Sequence, residues 1–289
     1  MSERIIENEY LRVTVADKGA ELVSVWDRDR AVERIWSGDA SVWNRHAPIL
    51  FPFVGKVVDG RYRVGDREYA MPTQHGFARD AAFACVAADA ASATHCLEAS
   101  PWTRERYPYD FRLTVTHRLE ERRLWVTWAV KNRGGETMFF SIGGHPGFMP
   151  PEGVRKEDCA ILFPGKDALR YISASPAGYS VLAKKALRLT EGRARYQPDI
   201  PDTWIFEDRQ VDAVGIAAPD GAPYAVLNCE QFPMLAVWAN PRGPFICLEP
   251  WFGRTDDEGF AGTIDQKKGI QRLEAGGKKE IEYWIEFLH

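Results

Sequence analysis

Apolar and polar residues alternate with period two along much of this chain, the signature of strands that bury one face. Phe111, Leu113, Val115 and Leu119 fall on one side, and Arg112, Thr114, Thr116 and Arg118 on the other. After the charged turn Glu120-Glu121-Arg122-Arg123 the alternation resumes with Leu124, Val126, Trp128 and Val130, which predicts a hairpin ending at Asn132-Arg133-Gly134-Gly135. Ile281, Tyr283, Ile285 and Phe287 repeat the theme near the end of the chain. Asp59-Gly60, between short strand-like runs, predicts a second hairpin turn. Helical periodicity over three or more turns is missing, and only short helical pieces are expected, around Ser41–Arg45 and Arg104–Tyr107. The 24 glycines and 18 prolines are scattered instead of gathered into a linker, so no domain boundary is visible in residues 1–289. Many strands with Gly/Pro turns predict an all-β chain, a large antiparallel β-sandwich with few short helices.

Composition narrows the function more than the fold. Hydrophobic content of 45% and charged content of 27% match a soluble globular protein with a substantial core. A net charge of −4 supplies no general attraction to nucleic acid or to an anionic membrane. No run approaches the roughly 18 apolar residues of a membrane span. The opening MSERIIENEY puts charges where a signal peptide needs an apolar stretch, so the cytoplasm is the expected compartment. The five cysteines, Cys85, Cys96, Cys159, Cys229 and Cys247, are odd in number and irregular in spacing. They read as buried reduced thiols, without a disulfide framework or zinc knuckle.

Three segments depart from the strand-and-turn pattern: Gln74–Arg79, Gly143–Phe148 and Leu248–Trp251. Pro146 pushes His145 towards extended backbone, while Gly143 and Gly144 allow conformations closed to other residues, so a loop can present the imidazole at a strand end. Glu249 follows the apolar run Phe245–Leu248 and is stopped by Pro250. Partial burial there raises a carboxyl towards the range a general base needs. The competing reading is a strand-end glutamate that faces water or pairs with Arg254. Trp251 beside it offers an indole face for a sugar ring. His117 falls on an apolar strand face and reads as a core residue, as His95 does in its own strand-like run. His46 is a weaker candidate for lining a pocket.

These segments together resemble the aldose 1-epimerase (galactose mutarotase-like) family. The resemblance is carried by Asn44–Lys56 (NRHAPILFPFVGK), Gln74–Arg79 (QHGFAR), Ser141–Phe148 (SIGGHPGF) and Cys247–Gly253 (CLEPWFG), in that order. It implies a twisted antiparallel β-sandwich with a sugar cleft across one sheet, and interconversion of aldose anomers without metal or organic cofactor. Carried over by motif, Glu249 is the base on the anomeric hydroxyl and His145 the acid at the ring oxygen. His75 matches the histidine that hydrogen-bonds the sugar, and Arg79 adds charge beside it. Asp202, in Pro201–Phe206, matches an aspartate that holds sugar hydroxyls. Ring opening removes one proton and delivers another within one small molecule, so a carboxylate and an imidazole on opposite sides of it suffice.

Well-studied galactose mutarotases carry an arginine where this chain has Gly55-Lys56, and Asn-His-aromatic where it has Gly144-His145-Pro146. Both departures resemble a less characterised bacterial branch of the family. They leave the sugar unnamed and its phosphorylation open, because Lys56, Arg45 and Arg79 suit a phosphate or a purely structural role equally well. Lys56 is retained as a substrate-binding candidate. Three rival readings remain: a glycoside hydrolase using Asp202 and Glu249, a non-catalytic sugar-binding protein, and a zinc site from His75, His145 and Glu249.

Overall fold

A computed structural model describes residues 2–195 and 203–288. Among the described residues two large antiparallel sheets carry the architecture. The first has nine strands, in the order Arg193–Arg195, Ala160–Leu162, Ala213–Ala217, Pro223–Asn228, Lys278–Phe287, Arg123–Asn132, Phe111–Glu120, Ser92–Glu98 and Ala84–Ala88. Its long central strands follow the predicted alternation. Leu113, Val115, Leu124, Val126, Trp128, Ile281, Tyr283 and Ile285 are buried. Thr114, Thr116 and Thr127 on the opposite face are only partly covered. Glu120 pairs with Arg123, so the hairpin turn is Glu121-Arg122, with Glu121 in the left-handed region at φ 51°.

The second sheet runs Ser180–Arg188, Ala168–Ala174, Trp204–Phe206, Met234–Trp238, Ile246–Phe252, Ile142–Gly144 and Ile49–Leu50, and Gly147–Phe148 also pairs with Ile246–Phe252. One face of this eight-stranded sheet packs on the first sheet. Ile246, Leu248 and Phe252, with Leu235, Val237, Trp204 and Phe206, share a single apolar cluster with Leu113, Val115 and Trp128. Phe148 meets Phe287 across the layers at 6.4 Å between ring centroids. The alternate residues of the same strands form separate clusters on the other face. Leu50, Ile205, Met234, Ala236 and Trp251 make one, and Trp36, Phe245 and Cys247 another. All seven residues of Ile246–Phe252 are buried in consequence. A smaller sheet of Glu3–Glu7, Leu11–Ala16, Glu21–Asp27 and Val32–Glu33 adds Ile6, Val13, Val15 and Leu22 to the main cluster.

Four local expectations are corrected. Asp59-Gly60 is not a hairpin turn; it closes a 3-10 turn over Val58–Gly60, with the amide of Val58 donating to Asp256 Oδ2. The hairpin that follows joins Arg61–Val64 to Arg67–Ala70 and turns at Gly65-Asp66. The helix expected at Arg104–Tyr107 lies earlier, at Pro101–Arg104, because Ser100 caps it and Pro101 suits its first turn. Ser41–Arg45 holds turns only, where the amides of Val42 and Trp43 both donate to the Asp39 carbonyl. Four cysteines are buried and Cys85 is partly exposed; all five are free thiols.

Candidate active site

The site grows from a gap in one ladder. Ile142 and Gly143 pair with Phe252 and Trp251, and Gly147 and Phe148 pair with Cys247 and Ile246, in one unbroken register. That register carries His145 to the position opposite Glu249, where Pro146 interrupts the neighbouring strand. Cross-strand partners point to the same face, and here it is the face turned away from the first sheet. Glu249 therefore does not end its strand. Ile246–Phe252 runs through Pro250, which pairs with Leu235. The two glycines before His145 have another role than the expected one, since both sit in ordinary strand. A Cβ on Gly143 would stand 2.6 Å from the Trp251 ring, and one on Gly144 2.9 Å from the Tyr283 hydroxyl. They supply room, not unusual backbone.

His145 Nε2 stands 3.3 Å from Glu249 Oε2. The imidazole and the carboxylate are thus side by side on one wall, not on opposite sides of a bound molecule. Glu249 is 1% and His145 8% exposed, so both groups are largely shielded from bulk water. Burial raises the Glu249 carboxyl well above its ordinary range, against a weaker opposing effect of the Trp251 indole N–H. Burial pushes His145 down to about 3, and the Arg79 cation works in the same direction. Each group taken alone is driven to its neutral form, so the resting pair holds one proton, on Glu249. Glu249 Oε2 and Trp251 Nε1 lie close to polar neighbours but make no aligned hydrogen bond, and His145 Nδ1 is buried without a partner among the described residues. The Arg254 alternative for Glu249 fails, because Arg254 pairs with Glu207 at 2.8 Å and with Asp257 at 2.5 Å.

His75 meets His145 edge-on, with ring centroids 5.5 Å apart. Its backbone is left-handed at φ 67°, a conformation that costs a non-glycine residue about 1–3 kcal/mol. Reciprocal bonds hold it there. The His75 amide donates to the Gly55 carbonyl at 2.6 Å, and the Gly55 amide donates to His75 Nδ1 at 3.0 Å. Accepting at Nδ1 leaves the ring hydrogen on Nε2. Burial and the neighbouring cations hold this imidazole well below its usual pKa, so it is a neutral donor.

These groups line a cavity of about 280 Å³, with Trp43, Gln74, Arg79, Trp238, Trp251 and Thr255 among its other walls. That volume lies at the small end for ligand sites, suited to one sugar ring more than to a chain of them. A roomier groove of about 640 Å³ lies beside Trp102, but its charged lining of Asp80, Glu98 and Arg112 is exposed and solvated. Lys56 does not line the cavity; its Nζ donates to the Ala177 carbonyl at 2.7 Å. Arg45 is drawn away to Asp80 and the Arg79 carbonyl. His46 lies near Glu21, 3.7 Å from its carboxylate. Asp202 lies outside the described residues. The metal grouping also changes: among the described residues, the donor atoms that converge with His145 and Glu249 come from Cys247, not His75.

Two residues were missed by sequence reasoning. Trp43 packs on His145 at 5.0 Å and Trp238 meets its edge at 5.5 Å, so the imidazole sits between two indoles. Trp43 directly precedes the Asn44–Lys56 segment, and that adjacency was the available signal. Nothing around Trp238 set it apart from the other nine tryptophans.

Comparison with known proteins gives the family and supports the fold. A family model described as aldose 1-epimerase matches residues 4–212. The chain is 28% identical to the chromosomal LacX protein of Lactococcus lactis over 280 residues, 93% of each chain. A galactose mutarotase related enzyme from Lactobacillus acidophilus superposes with a TM-score of 0.91 at 28% identity, over 100% of this chain and 98% of its own. A galactose mutarotase-like protein from Lactobacillus casei gives 0.90 at 28% identity, over 99% and 100%.

Proposed function

This chain belongs to the aldose 1-epimerase family, and we propose that it is a mutarotase, interconverting the α and β anomers of a hexose or related aldose. The observation that most supports this reading is the contact of His145 with Glu249 on the cavity wall. In a pyranose the anomeric hydroxyl and the ring oxygen share one carbon. Their protons are handled best by two groups whose reacting atoms lie a few ångströms apart, within hydrogen-bond reach of both oxygens.

In this reading the Glu249 carboxylate takes the proton of the anomeric hydroxyl as the carbonyl forms. The bond from that carbon to the ring oxygen breaks, and the His145 imidazolium gives its proton to the released oxygen. The aldehyde carbon then turns its other face. Closure reverses each transfer, and Glu249 returns its proton to the carbonyl oxygen. The pair holds one proton before and after, so protons and charge balance without exchange with solvent. Burial biases the resting pair towards protonated Glu249 and neutral His145, and reaching the charged arrangement is part of the barrier to ring opening. His75 Nε2–H is a fixed donor to a sugar oxygen. Trp43, Trp238 and Trp251 offer apolar faces to the ring's C–H side.

A glycoside hydrolase would need a second carboxylate beside Glu249, and the sequence candidate for it, Asp202, lies outside the described residues. The test is anomer-exchange NMR over a panel of aldoses and their 6-phosphates. Accelerated exchange of at least one free or phosphorylated aldose is expected. Release of reducing ends from oligosaccharides with no anomer exchange would overturn the proposal in favour of hydrolysis. Sugar binding without either activity would make the protein a binder.

A further inference from the structure

We propose that the wall carrying the pair is also a binding site for a soft divalent cation of the zinc type, held by Cys247, His145 and Glu249. Occupancy withdraws the pair's lone pairs and switches proton transfer off. The binding half stands on geometry alone; the inhibition half rests on the mutarotase reading.

Cys247 and Glu249 are two residues apart on one strand and therefore share a face. His145 lies opposite Glu249 on the neighbouring segment, which makes it the diagonal neighbour of Cys247. One ligand atom from each of the three lies within 4.8 Å of the others. Zinc bonds of about 2.0–2.2 Å to nitrogen and oxygen put two ligands of a tetrahedral ion roughly 3.3–3.6 Å apart. The 3.3 Å between His145 Nε2 and Glu249 Oε2 already fits that edge. Thiolate, imidazole and carboxylate are each zinc ligands, and three protein ligands leave a fourth position for water.

Two further observations point to a ligand here. Glu249 Oε2 is buried and makes no aligned hydrogen bond among the described residues, its polar neighbour being His145 Nε2 at 3.3 Å, although buried polar atoms are nearly always paired. The cavity that ends on His145 and Glu249 supplies a way in. Cys247 itself is fully buried, in no disulfide, and unused by the sugar chemistry. When the ion binds, two protons leave for solvent, the Cys247 thiol proton and the single proton held by Glu249 and His145.

The test titrates Zn²⁺ and Co²⁺ into the reduced, full-length protein. One equivalent should bind, and cobalt should show thiolate charge-transfer absorption. Cys247→Ser and Cys247→Ala, with folding checked by thermal melt, should lose that absorption and bind zinc at least tenfold more weakly. Both should keep metal-free anomer exchange, and zinc should inhibit only the parent protein. Absorption that survives in the variants would mean that another cysteine binds, and it would overturn the site, as would no binding at micromolar zinc. If both variants misfold, zinc X-ray absorption on the parent protein decides, and a metal shell without sulfur ends the proposal. Zinc bound through Cys247 by a protein that exchanges no anomer would remove the mutarotase reading and leave the cation site standing.

Discussion

The two large sheets bury histidines in different ways, and the contrast explains where chemistry can occur. In the nine-stranded sheet His117 sits on the inner face with Val115 and Leu119, 2% exposed, with Nδ1 unpartnered among the described residues. Burial pushes it down to about 3. His145 in the eight-stranded sheet is pushed to the same value by the same cause, but a buried carboxylate stands against it. A lone neutral imidazole packs like an apolar residue. An imidazole and a carboxylate that share one proton can give and take it. Covering the second face of the eight-stranded sheet is what permits the pairing, because a solvated face would leave Glu249 ionised and separately hydrated.

The largest effect that tests this contrast is chemical. Glu249→Gln keeps the shape but removes the shared proton's acceptor, so anomer-exchange turnover should fall about 10²–10⁴-fold. Affinity for the sugar, measured by calorimetry, should change much less, the mark of an interaction made mainly in the transition state. The fold should survive, because an amide is cheaper to bury than an ionisable carboxyl. His145→Asn should behave alike. A Glu249→Gln protein that melts normally and keeps half its turnover would break the comparison, since the pair would then be no more catalytic than His117.

The matching change in the other sheet should act on stability alone. Leu113 is fully buried on the inner face, and Leu113→Ala should cost about 2–5 kcal/mol from lost burial and the cavity left behind. Denaturant unfolding measures that cost. Turnover per folded molecule should stay near the parent value, because the sheet supports the site without entering it. Loss of turnover in molecules that remain folded would show the two layers to be coupled.

The same contrast governs what could be read in advance. The strands around Phe111–Glu120, Arg123–Asn132 and Lys278–Phe287 were legible because one face is apolar and the other polar. Ile246–Phe252 is buried on both faces, so its sequence is an apolar run with a glutamate in it and shows no alternation. The isolated carboxylate was the one local sign that something other than packing occurs there, and the family motifs pointed to the same residue. Its partner was also named, but not its placement, because the register that sets His145 opposite Glu249 depends on strand pairing. Pro250 misled for a related reason: a proline was read as a stop, whereas the strand runs on and it is the ladder to the neighbouring segment that lapses beside it, between Gly143 and Gly147. The bond of Lys56 could not be foreseen because a cation's partner, here the Ala177 carbonyl, comes from a distant loop.

Acid stability separates the two histidines next. An unperturbed histidine titrates near 6.5. A folded-state pKa lowered to about 3 means that the unfolded chain takes up a proton which folded His117 refuses. Its contribution is complete above 6.5 and is lost as the pH falls, by about 2 kcal/mol between pH 7 and pH 5. At the paired site Glu249 opposes this. Its raised pKa means that the folded state keeps a proton which the unfolded state has released in that window, so acidification favours the fold there. The pair therefore adds little slope and His117 adds nearly all of its own. His117→Leu should flatten the dependence of unfolding free energy on pH, whereas a double change of His145 to Asn and Glu249 to Gln should leave it almost unaltered. Equal flattening by both would contradict the one-proton description of the pair.

The smallest effect belongs to the solvated face of the nine-stranded sheet. Arg123 and Glu286 are register partners whose charged ends stand 3.3 Å apart, with side chains 43% and 27% exposed. Water screens both charges, and fixing two long side chains costs entropy, so such pairs contribute about 0.2–1 kcal/mol. Arg123 also lies over the Trp284 ring, 4.6 Å from its centroid, so Arg123→Ala alone would mix a lost cation–π contact with the lost ion pair. A double-mutant cycle over Arg123→Ala and Glu286→Ala separates the two. The coupling should fall within that range and shrink as salt is raised towards 1 M, where charges farther apart than about 3 Å are screened. A coupling of several kcal/mol that ignored salt would show this face to be as desolvated as the wall around Glu249, and the distinction between the sheets would then lose its physical basis.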